Sequence, residues 1–220
     1  MADGSEEMKV VYAVRALRSV PNDAEVHVHL GKKVESKISK PVKTEGGTVE
    51  FDSLTFAVEL SKAGNPKEIS FRVGQFSFLK KKVIGVVKME LDDLPPFLPV
   101  NRWYPLRAAK GDKEVDGEIH VQIVRVPATL AWGVREFALP VHTLLKKGEM
   151  KALEALLGQK DHGLDLSKRD DDDMTALHLI VLEEAAELIA RVVAAGAPVD
   201  AVMTSARVKP QKDMRGLQVK

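Results

Sequence analysis

The stretch that divides this chain is GEIHVQIVRVPATLAWGVREFALPVHTLLKK, residues 117–147. Its first part alternates apolar and polar residues through Ile119, Val121 and Ile123, which predicts a β-strand with one buried face. Its last part begins a series of leucines, starting at Leu144, that recur with a period near 3.6 and predict helices. The chain therefore changes from strands to helices within this stretch.

The residues before this stretch repeat the strand pattern several times. Short β-branched runs separated by Gly, Pro, Asn and Asp are typical of a β-sandwich. The runs are Val10–Val14, Val26–Leu30, Phe51–Val58, Ile69–Val73 and Val83–Met89. Three prolines exclude a central strand over 92–101, which we expect to be a loop or an edge crossing. We predict an all-β Greek-key sandwich over 8–126.

Residues 130–201 carry the helical period. Glycines at 148, 158, 163 and 196 interrupt it, which predicts pairs of short helices of about ten residues each. Residues 202–220 have no sustained apolar period and are strongly basic, so we expect a mobile basic tail.

Composition excludes several classes of function. The chain of 220 residues has no cysteine, which excludes disulfides, thiolate catalysis and cysteine-ligated zinc. Lys and Arg number 33 against 32 Asp and Glu, unlike the basic excess of a nucleic-acid binder. The formal net charge of +1 is the sum of three regions with different net charges: +2 over 1–127, −5 over 128–201 and +4 over 202–220.

Catalytic and targeting motifs are missing. There is no Gly-x-Ser-x-Gly elbow, phosphate-binding Gly-rich loop, dinucleotide fingerprint or His-Glu-x-x-His, so we expect no enzyme activity and no cofactor. No apolar run reaches the length of a transmembrane helix, and the acidic start is unlike a signal peptide. These features predict a cytoplasmic protein.

The predicted sandwich resembles a C2 domain, the calcium- and phospholipid-binding module of many trafficking proteins. The motifs that carry the resemblance occur in the family's order: Asp23–Gly31, Phe51 with Phe56, Ile69–Val73, Ile84-Gly85, Trp103–Leu106 and Gly117–Val121. The resemblance implies lipid binding. Calcium needs six to eight oxygen ligands, yet only Asp23 keeps a ligand position, while Gln75, Ser77 and Lys82 occupy the third-loop positions. We therefore expect no calcium site and no other metal site.

The helical part resembles ankyrin repeats, whose signature is Thr-Pro-Leu-His. Thr175-Ala176-Leu177-His178 is close to it, and Leu139-Pro140-Val141-His142 lies 36 residues earlier, with an insertion expected at 159–163. The resemblance implies structural roles: Thr175 caps a helix, and His142 and His178 bridge neighbouring loops. Glu184 replaces the glycine expected between the helices of the second copy.

Two repeats bury little apolar surface, because such arrays depend on neighbouring repeats for their core. Either the sandwich covers one end of the array, or the chain is a shortened form of a longer one. Both alternatives are open from the sequence.

The first candidate binding surface is a lysine cluster. It comprises Lys32, Lys33, Lys37, Lys40 and Lys43. If Lys33, Lys37 and Lys43 align on one strand face, they could bind phosphoinositides or other anionic lipids, as the C2 resemblance implies. The alternative is a solvated basic strand.

A second candidate is the apolar segment Phe76–Leu79, which includes Phe78 and is followed by Lys80, Lys81 and Lys82. An apolar loop with a basic rim is typical of membrane-inserting loops. The alternative is that Phe76 and Phe78 end a strand and pack inward.

Two further clusters have plainer interpretations. His27 and His29 share a strand face but lack a third metal ligand. Asp170–Asp173 is expected to be a solvated hairpin that favours the following helix N-terminus, with contacts to the basic sandwich face or tail as an alternative.

Together these features predict a non-catalytic adaptor that is cytoplasmic and peripheral at a membrane. It would bind anionic phospholipid through the sandwich and a protein partner through the repeats, with no nucleic acid and no transmembrane segment. The alternatives are a scaffold that binds only proteins and a regulatory fragment of a longer protein.

Overall fold

The computed structural model describes residues 7–31, 33–38, 41–45, 47–52, 54–76, 81–110, 113–158 and 164–201. The strands are β1 Met8–Arg18, β2 Glu25–Leu30, β3 Lys33–Ile38, β4 Pro41–Glu45, β5 Thr48–Phe51, β6 Phe56–Glu59, β7 Glu68–Phe76, β8 Lys81–Glu90, β9 Val100–Arg107 and β10 Glu114–Pro127. The helices are α1 Val134–Ala138, α2 Pro140–Lys146, α3 Met150–Leu157, α4 Ala176–Leu182 and α5 Ala186–Ala194. The change from strands to helices lies where the sequence predicts it.

The strands form one folded sheet that makes two layers. Hydrogen bonding follows the order β3-β2-β7-β8-β9-β10-β1-β5-β4, and β6 also pairs with β1. A single residue pair, Val86 with Arg107, joins β8 to β9. The sheet folds over at this seam, so Tyr12 of β1 hydrogen-bonds Ser36 of β3 at 3.0 Å and meets the edge of the Phe71 ring at 5.9 Å. The prediction of an all-β sandwich is confirmed.

Strand β1 is buried on both faces, which the alternation of its residues does not predict. Val10, Tyr12 and Val14 belong to the sandwich core. Val11 lies on the opposite face but is equally buried, because the helices cover it. A strand between two apolar layers needs apolar residues on both sides.

The predicted strand over Phe51–Val58 is wrong in one respect. The structure has two strands there, β5 and β6, which pair with different parts of β1. Leu54 lies between them and is 61% exposed. The region with three prolines lies outside regular strands until β9 begins at Val100, as predicted.

Helices α2 and α3 form one pair, and α4 and α5 form a second with the same connecting turn. In the first turn, Gly148 has φ +70° and its N–H donates to the Leu145 carbonyl at 2.9 Å. In the second, Glu184 has φ +54° and its N–H donates to the Val181 carbonyl at 3.3 Å. The two pairs are thus structural copies in which a glutamate takes a glycine's left-handed backbone.

Replacing Glu184 with Gly should stabilise the protein. A side chain in the left-handed region costs about 1 kcal/mol, whereas glycine's extra freedom in the unfolded chain returns roughly half of that. We expect a net gain of about 0.5 kcal/mol in urea unfolding. The reciprocal change Gly148→Glu should lower stability, and a loss of stability in Glu184→Gly would contradict the interpretation.

The helices share a core with the outer side of the sandwich. Val11, Leu98, Val124 and Val126 of the strand region form one buried cluster with the apolar side chains of α1 to α5. Trp132, in the connection, is 6% exposed and meets the Phe137 ring edge-on at 6.1 Å. The sandwich therefore covers one end of α1 to α5, which we call the helical unit.

Candidate functional site

The first candidate site is the outer side of strands β3, β2, β7 and β8. Alternation directs Val26 and Val28 into the core, so His27 and His29 point outward. In β7 the same rule directs Phe71 inward and Arg72 outward. The cationic and imidazole groups on this side are Lys37, His27, His29, Arg72 and Lys88, which we call the basic face. The Lys and Arg side chains are exposed, whereas the two histidines are half-buried.

Strand register brings these side chains together. His27 is paired with Lys37 on one side and with Arg72 on the other. His29 is paired with Ser70, which is paired with Lys88. Directly opposed residues of antiparallel strands have Cβ atoms about 5 Å apart. The face therefore has one row of three nitrogen-bearing side chains, Lys37, His27 and Arg72, and an adjacent row in which the buried Ser70 separates His29 from Lys88.

Acidic neighbours neutralise part of this charge. Lys37 is 2.9 Å from Glu25, and Lys88 is 3.2 Å from Glu68. Arg72 is exposed and has no ion-pair partner among the described residues. Burial, followed by the charges of Arg72 and His27, lowers the pKa of His29. The free charge of the face thus lies mainly on Arg72.

The structure describes only some of the side chains in the predicted lysine cluster. Lys32 and Lys40 lie outside the described residues, as do the side chains of Lys33 and Lys43. Lys37 belongs to the basic face. Lys33 and Lys37 lie in β3 but Lys43 lies in β4, and these strands are at opposite ends of the hydrogen-bonded order. The predicted alignment of the three on one strand is wrong, because β3 pairs with β2 whereas β4 pairs with β5.

The structure also describes only part of the second predicted surface, Phe76–Leu79 with Lys80–Lys82. Phe78 and Lys80 lie outside the described residues, and so does the side chain of Lys81. Lys82 is exposed. The Phe76 ring stacks on His27 with centroids 3.8 Å apart. Phe76 therefore ends β7 and lies over His27 on the outer side of the sheet, so the inward-packing alternative does not describe it.

Asp23 and Gln75, at two of the positions that the C2 resemblance assigns to calcium ligands, contact each other. The Gln75 side-chain amide donates to both carboxylate oxygens of Asp23, at 2.8 and 3.0 Å. Ser77 lies outside the described residues, and Lys82 is paired with Gln75 in the sheet. Across the described ranges, no three His, Asp or Glu side chains are grouped as metal ligands, and this includes His27 and His29.

The helical unit places the repeat-signature residues at contacts between loops. Thr175 begins α4, where its hydroxyl accepts from the His178 N–H at 3.4 Å. The His178 Nε2 is 2.8 Å from the Ala201 carbonyl. His142 is the equivalent residue of the preceding helical pair, and its Nε2 is 3.0 Å from the Met174 carbonyl. Burial lowers the pKa of His142, partly offset by that carbonyl and by Asp170, so the ring is neutral at pH 7 and donates from Nε2.

The interpretation of Asp170–Asp173 as a solvated hairpin is wrong for Asp170, which is buried, whereas Asp171 and Asp172 are exposed. The Asp170 side chain is 1% exposed, and its Oδ2 is 2.7 Å from the Lys146 Nζ. Its Oδ1 accepts from the N–H groups of Asp172 and Met174 at 3.0 and 3.1 Å. Burial alone would raise the pKa of Asp170, but these donors outweigh it and lower the pKa. The carboxylate therefore organises the turn before α4.

Asp171 and Asp173 each have an arginine partner. Asp171 is 77% exposed and lies 2.8 Å from Arg135, while Asp173 lies 3.2 Å from Arg169. The described partners of the run are thus in the helical unit, and not on the basic face.

No family model matches this chain, and no curated protein matches it. Solved structures similar to it include the C2A domain of plant Extended Synaptotagmin 1, at 20% identity over 56% of this chain and 96% of that one, with a TM-score of 0.42. CC2D1B is similar at 20% identity over 56% of this chain and 57% of that one, with a TM-score of 0.40. Human GIVD cytosolic phospholipase A2 is similar at 10% identity over 57% of this chain and 16% of that one, with a TM-score of 0.43. None of the described helices is long and apolar enough to cross a membrane.

Proposed function

We propose that this protein is a non-catalytic adaptor. Its C2-like sandwich binds anionic membrane lipid without calcium, and its ankyrin-like helical unit binds a protein partner. The observation that carries the lipid part is the basic face, where the exposed Arg72 guanidinium stands in one row with His27 and Lys37. A planar guanidinium with free donors is suited to phosphate oxygens.

The charge of the face supports weak binding by itself. Each Lys or Arg near an anionic leaflet contributes about 1 kcal/mol. Glu25 and Glu68 offset Lys37 and Lys88, so the face alone supplies one to three such contributions. Stable membrane binding usually needs a second signal. The apolar residues next to Lys80–Lys82 are the second signal that the sequence offers.

The calcium-independent character of the proposal rests on Asp23. Its two carboxylate oxygens are engaged by the Gln75 amide, which donates where a cation would have to bind. Calcium would have to displace this amide and recruit several further oxygen ligands.

The protein-binding part of the proposal rests on the helical unit. Residues 128–201 carry a net charge of −5, so an acidic surface is available to a basic partner. A scaffold that binds only proteins is the second candidate, and the ion pairs of Lys37 and Lys88 favour it because they remove charge from the basic face.

Flotation with liposomes tests the lipid part. In EGTA, we expect the full chain to float with vesicles that contain phosphatidylinositol phosphates and not with neutral phosphatidylcholine vesicles. The variant Lys37→Glu/Arg72→Glu should lose at least about tenfold in binding, because two attractions of about 1 kcal/mol become repulsions. The control Lys62→Glu changes a lysine that is 76% exposed and lies beyond β6, in the other layer.

Two outcomes would decide against lipid binding at this face. Equal flotation of the double variant and the Lys62→Glu control would move the site elsewhere. No flotation of the parent chain, together with capture of a basic protein partner, would favour the protein-only scaffold.

A further inference from the structure

The last described helical pair leaves an apolar surface uncovered. We call it the end face: Val181 and Leu182 of α4 and Val193 of α5 are its exposed members, and Leu177 and Ile189, half-buried against the helical core, adjoin them. Val181 is 58% exposed, Leu182 59% and Val193 38%. Large apolar side chains grouped in this way are typical of an interaction surface.

The α5 part of the end face points away from the preceding helical pair. Arg191 reaches Glu154 of α3 at 4.0 Å, so this side of α5 faces α3. Ile189 and Val193 are each two positions from Arg191, which is about 200° around the helix. They therefore lie on the opposite side, one turn apart.

The α4 part continues the same surface. Ala176 and Ile180 are fully buried. Leu177 and Val181 each follow one of them by a single position, and so lie about 100° further around the helix. Helices α4 and α5 pack on each other and on α2 and α3. Leu177 with Val181, and Ile189 with Val193, thus form one partly exposed apolar strip at the end of the described array.

The rim of the end face is acidic. Glu183, Glu184 and Glu187 lie in and beside the turn between α4 and α5, all are exposed, and none has an ion-pair partner among the described residues. A second copy of the chain docked face to face would bring two such rims together, and like charges across an interface are unfavourable. The charge therefore favours an occupant that is both apolar and basic.

We propose that residues 202–220 of this chain cover the end face. Their apolar residues are Val202, Met203, Ala206, Val208, Met214, Leu217 and Val219, and their basic residues are Arg207, Lys209, Lys212, Arg215 and Lys220. The net charge of +4 complements the −5 of residues 128–201. This proposal replaces the expectation of a mobile tail and is independent of lipid binding.

Chain connectivity makes the contact feasible. Ala201 immediately precedes the segment, and its carbonyl lies 2.8 Å from the His178 Nε2 of α4. The segment therefore starts beside the end face. At about 3.3 Å per extended residue it can reach roughly 60 Å, several times the length of α5. A tethered segment has a local concentration near millimolar, so modest contacts are sufficient.

Hydrogen exchange on the full chain tests the proposal. We expect the variant Arg207→Glu/Val208→Asp/Lys209→Glu to exchange the amides of α4 and α5 at least about fivefold faster than the parent, because the cover is lost. Amides of β2 and β7 should be unchanged. The control Lys62→Glu/Lys67→Glu alters two exposed sandwich lysines and should leave α4 and α5 unchanged.

A chain that ends at Ala201 gives a second measurement. It should show the same faster exchange and should self-associate more strongly than the parent in sedimentation. If that shorter chain does not fold, the full-length triple variant decides alone. Unchanged exchange in the triple variant overturns the proposal. A parent that dimerises, and becomes monomeric on Val181→Glu, also overturns it and identifies a second copy as the occupant.

Discussion

Replacing Val124 with Asp is expected to unfold the helical unit while the sandwich stays folded. Val124 is fully buried, but its side chain lies on the outer side of β10, within the cluster shared with the helices. A carboxylate there must either be buried without a partner or be released to water by departure of the helices. Burial of an unpaired charge costs several kcal/mol, so release is favoured.

The physical reason is the small size of the helical unit. Two helical pairs need neighbours to complete a core, and the neighbour here is the strand surface of Val11, Val124 and Val126. Once these valines face water, the helices lose the apolar layer that orders them. The sandwich keeps its own core around Tyr12 and Phe71.

Hydrogen exchange followed by mass spectrometry measures the effect by segment. We expect amides of α2 to α5 to lose most of their protection and those of β2 and β7 to keep theirs. The control is Val83→Asp, because Val83 is a strand valine that is already 37% exposed. Equal loss of protection in both parts would show that the chain unfolds as one unit.

Much of the architecture could be predicted from the sequence. The change of apolar period near residue 127 locates the boundary, because side chains repeat every two residues in strands and every 3.6 in helices. The prolines at 95, 96 and 99 predict the break before β9. Gly148 and Gly196 interrupt the helical period, which predicts turns there. The structure confirms both turns, in which each glycine has a positive φ.

Pairing between distant strands could not be predicted, and the basic face depends on it. Alternation with Phe71 and Val73 is enough to predict that Arg72 points outward. Nothing in the sequence indicates that β7 pairs with β2, which is what places Arg72 beside His27. The predicted alignment of the lysine cluster is wrong for the same reason. A local run of charge does not indicate that β3 and β4 lie at opposite ends of the hydrogen-bonded order.

The burial of the outer face of β1 by the helical unit could not be predicted for any single residue from the sequence. The sequence of β1 is apolar at Val11 and Ala13 as well as at Tyr12, and this run was the available sign that both faces are covered. The sequence shows Asp170 only as the first of four adjacent acids, for which we expect a solvated hairpin. Only the fold shows that one of them is enclosed by donors while its neighbours remain exposed.

The change Asp170→Ala should therefore be far more destabilising than Asp171→Ala, although the two residues are adjacent. The Asp170 carboxylate satisfies the Lys146 ammonium and two backbone N–H groups, and its side chain is 1% exposed. Removing it leaves the two backbone N–H groups without their acceptor, which costs about 2 kcal/mol, whereas the Lys146 ammonium is 38% exposed and can be hydrated. The Asp171 pair with Arg135 is solvated on both sides and is worth about 0.5 kcal/mol.

Urea unfolding of the two variants and of Lys146→Met measures these differences. Lys146→Met should also be strongly destabilising, since it leaves a buried carboxylate without its cation. The double variant Asp170→Ala/Lys146→Met should lose less than the sum of the single losses, because each single change already breaks the same pair. Additive losses would mean that Asp170 acts through the two backbone N–H groups alone, and equal losses for Asp170→Ala and Asp171→Ala would contradict the burial of Asp170.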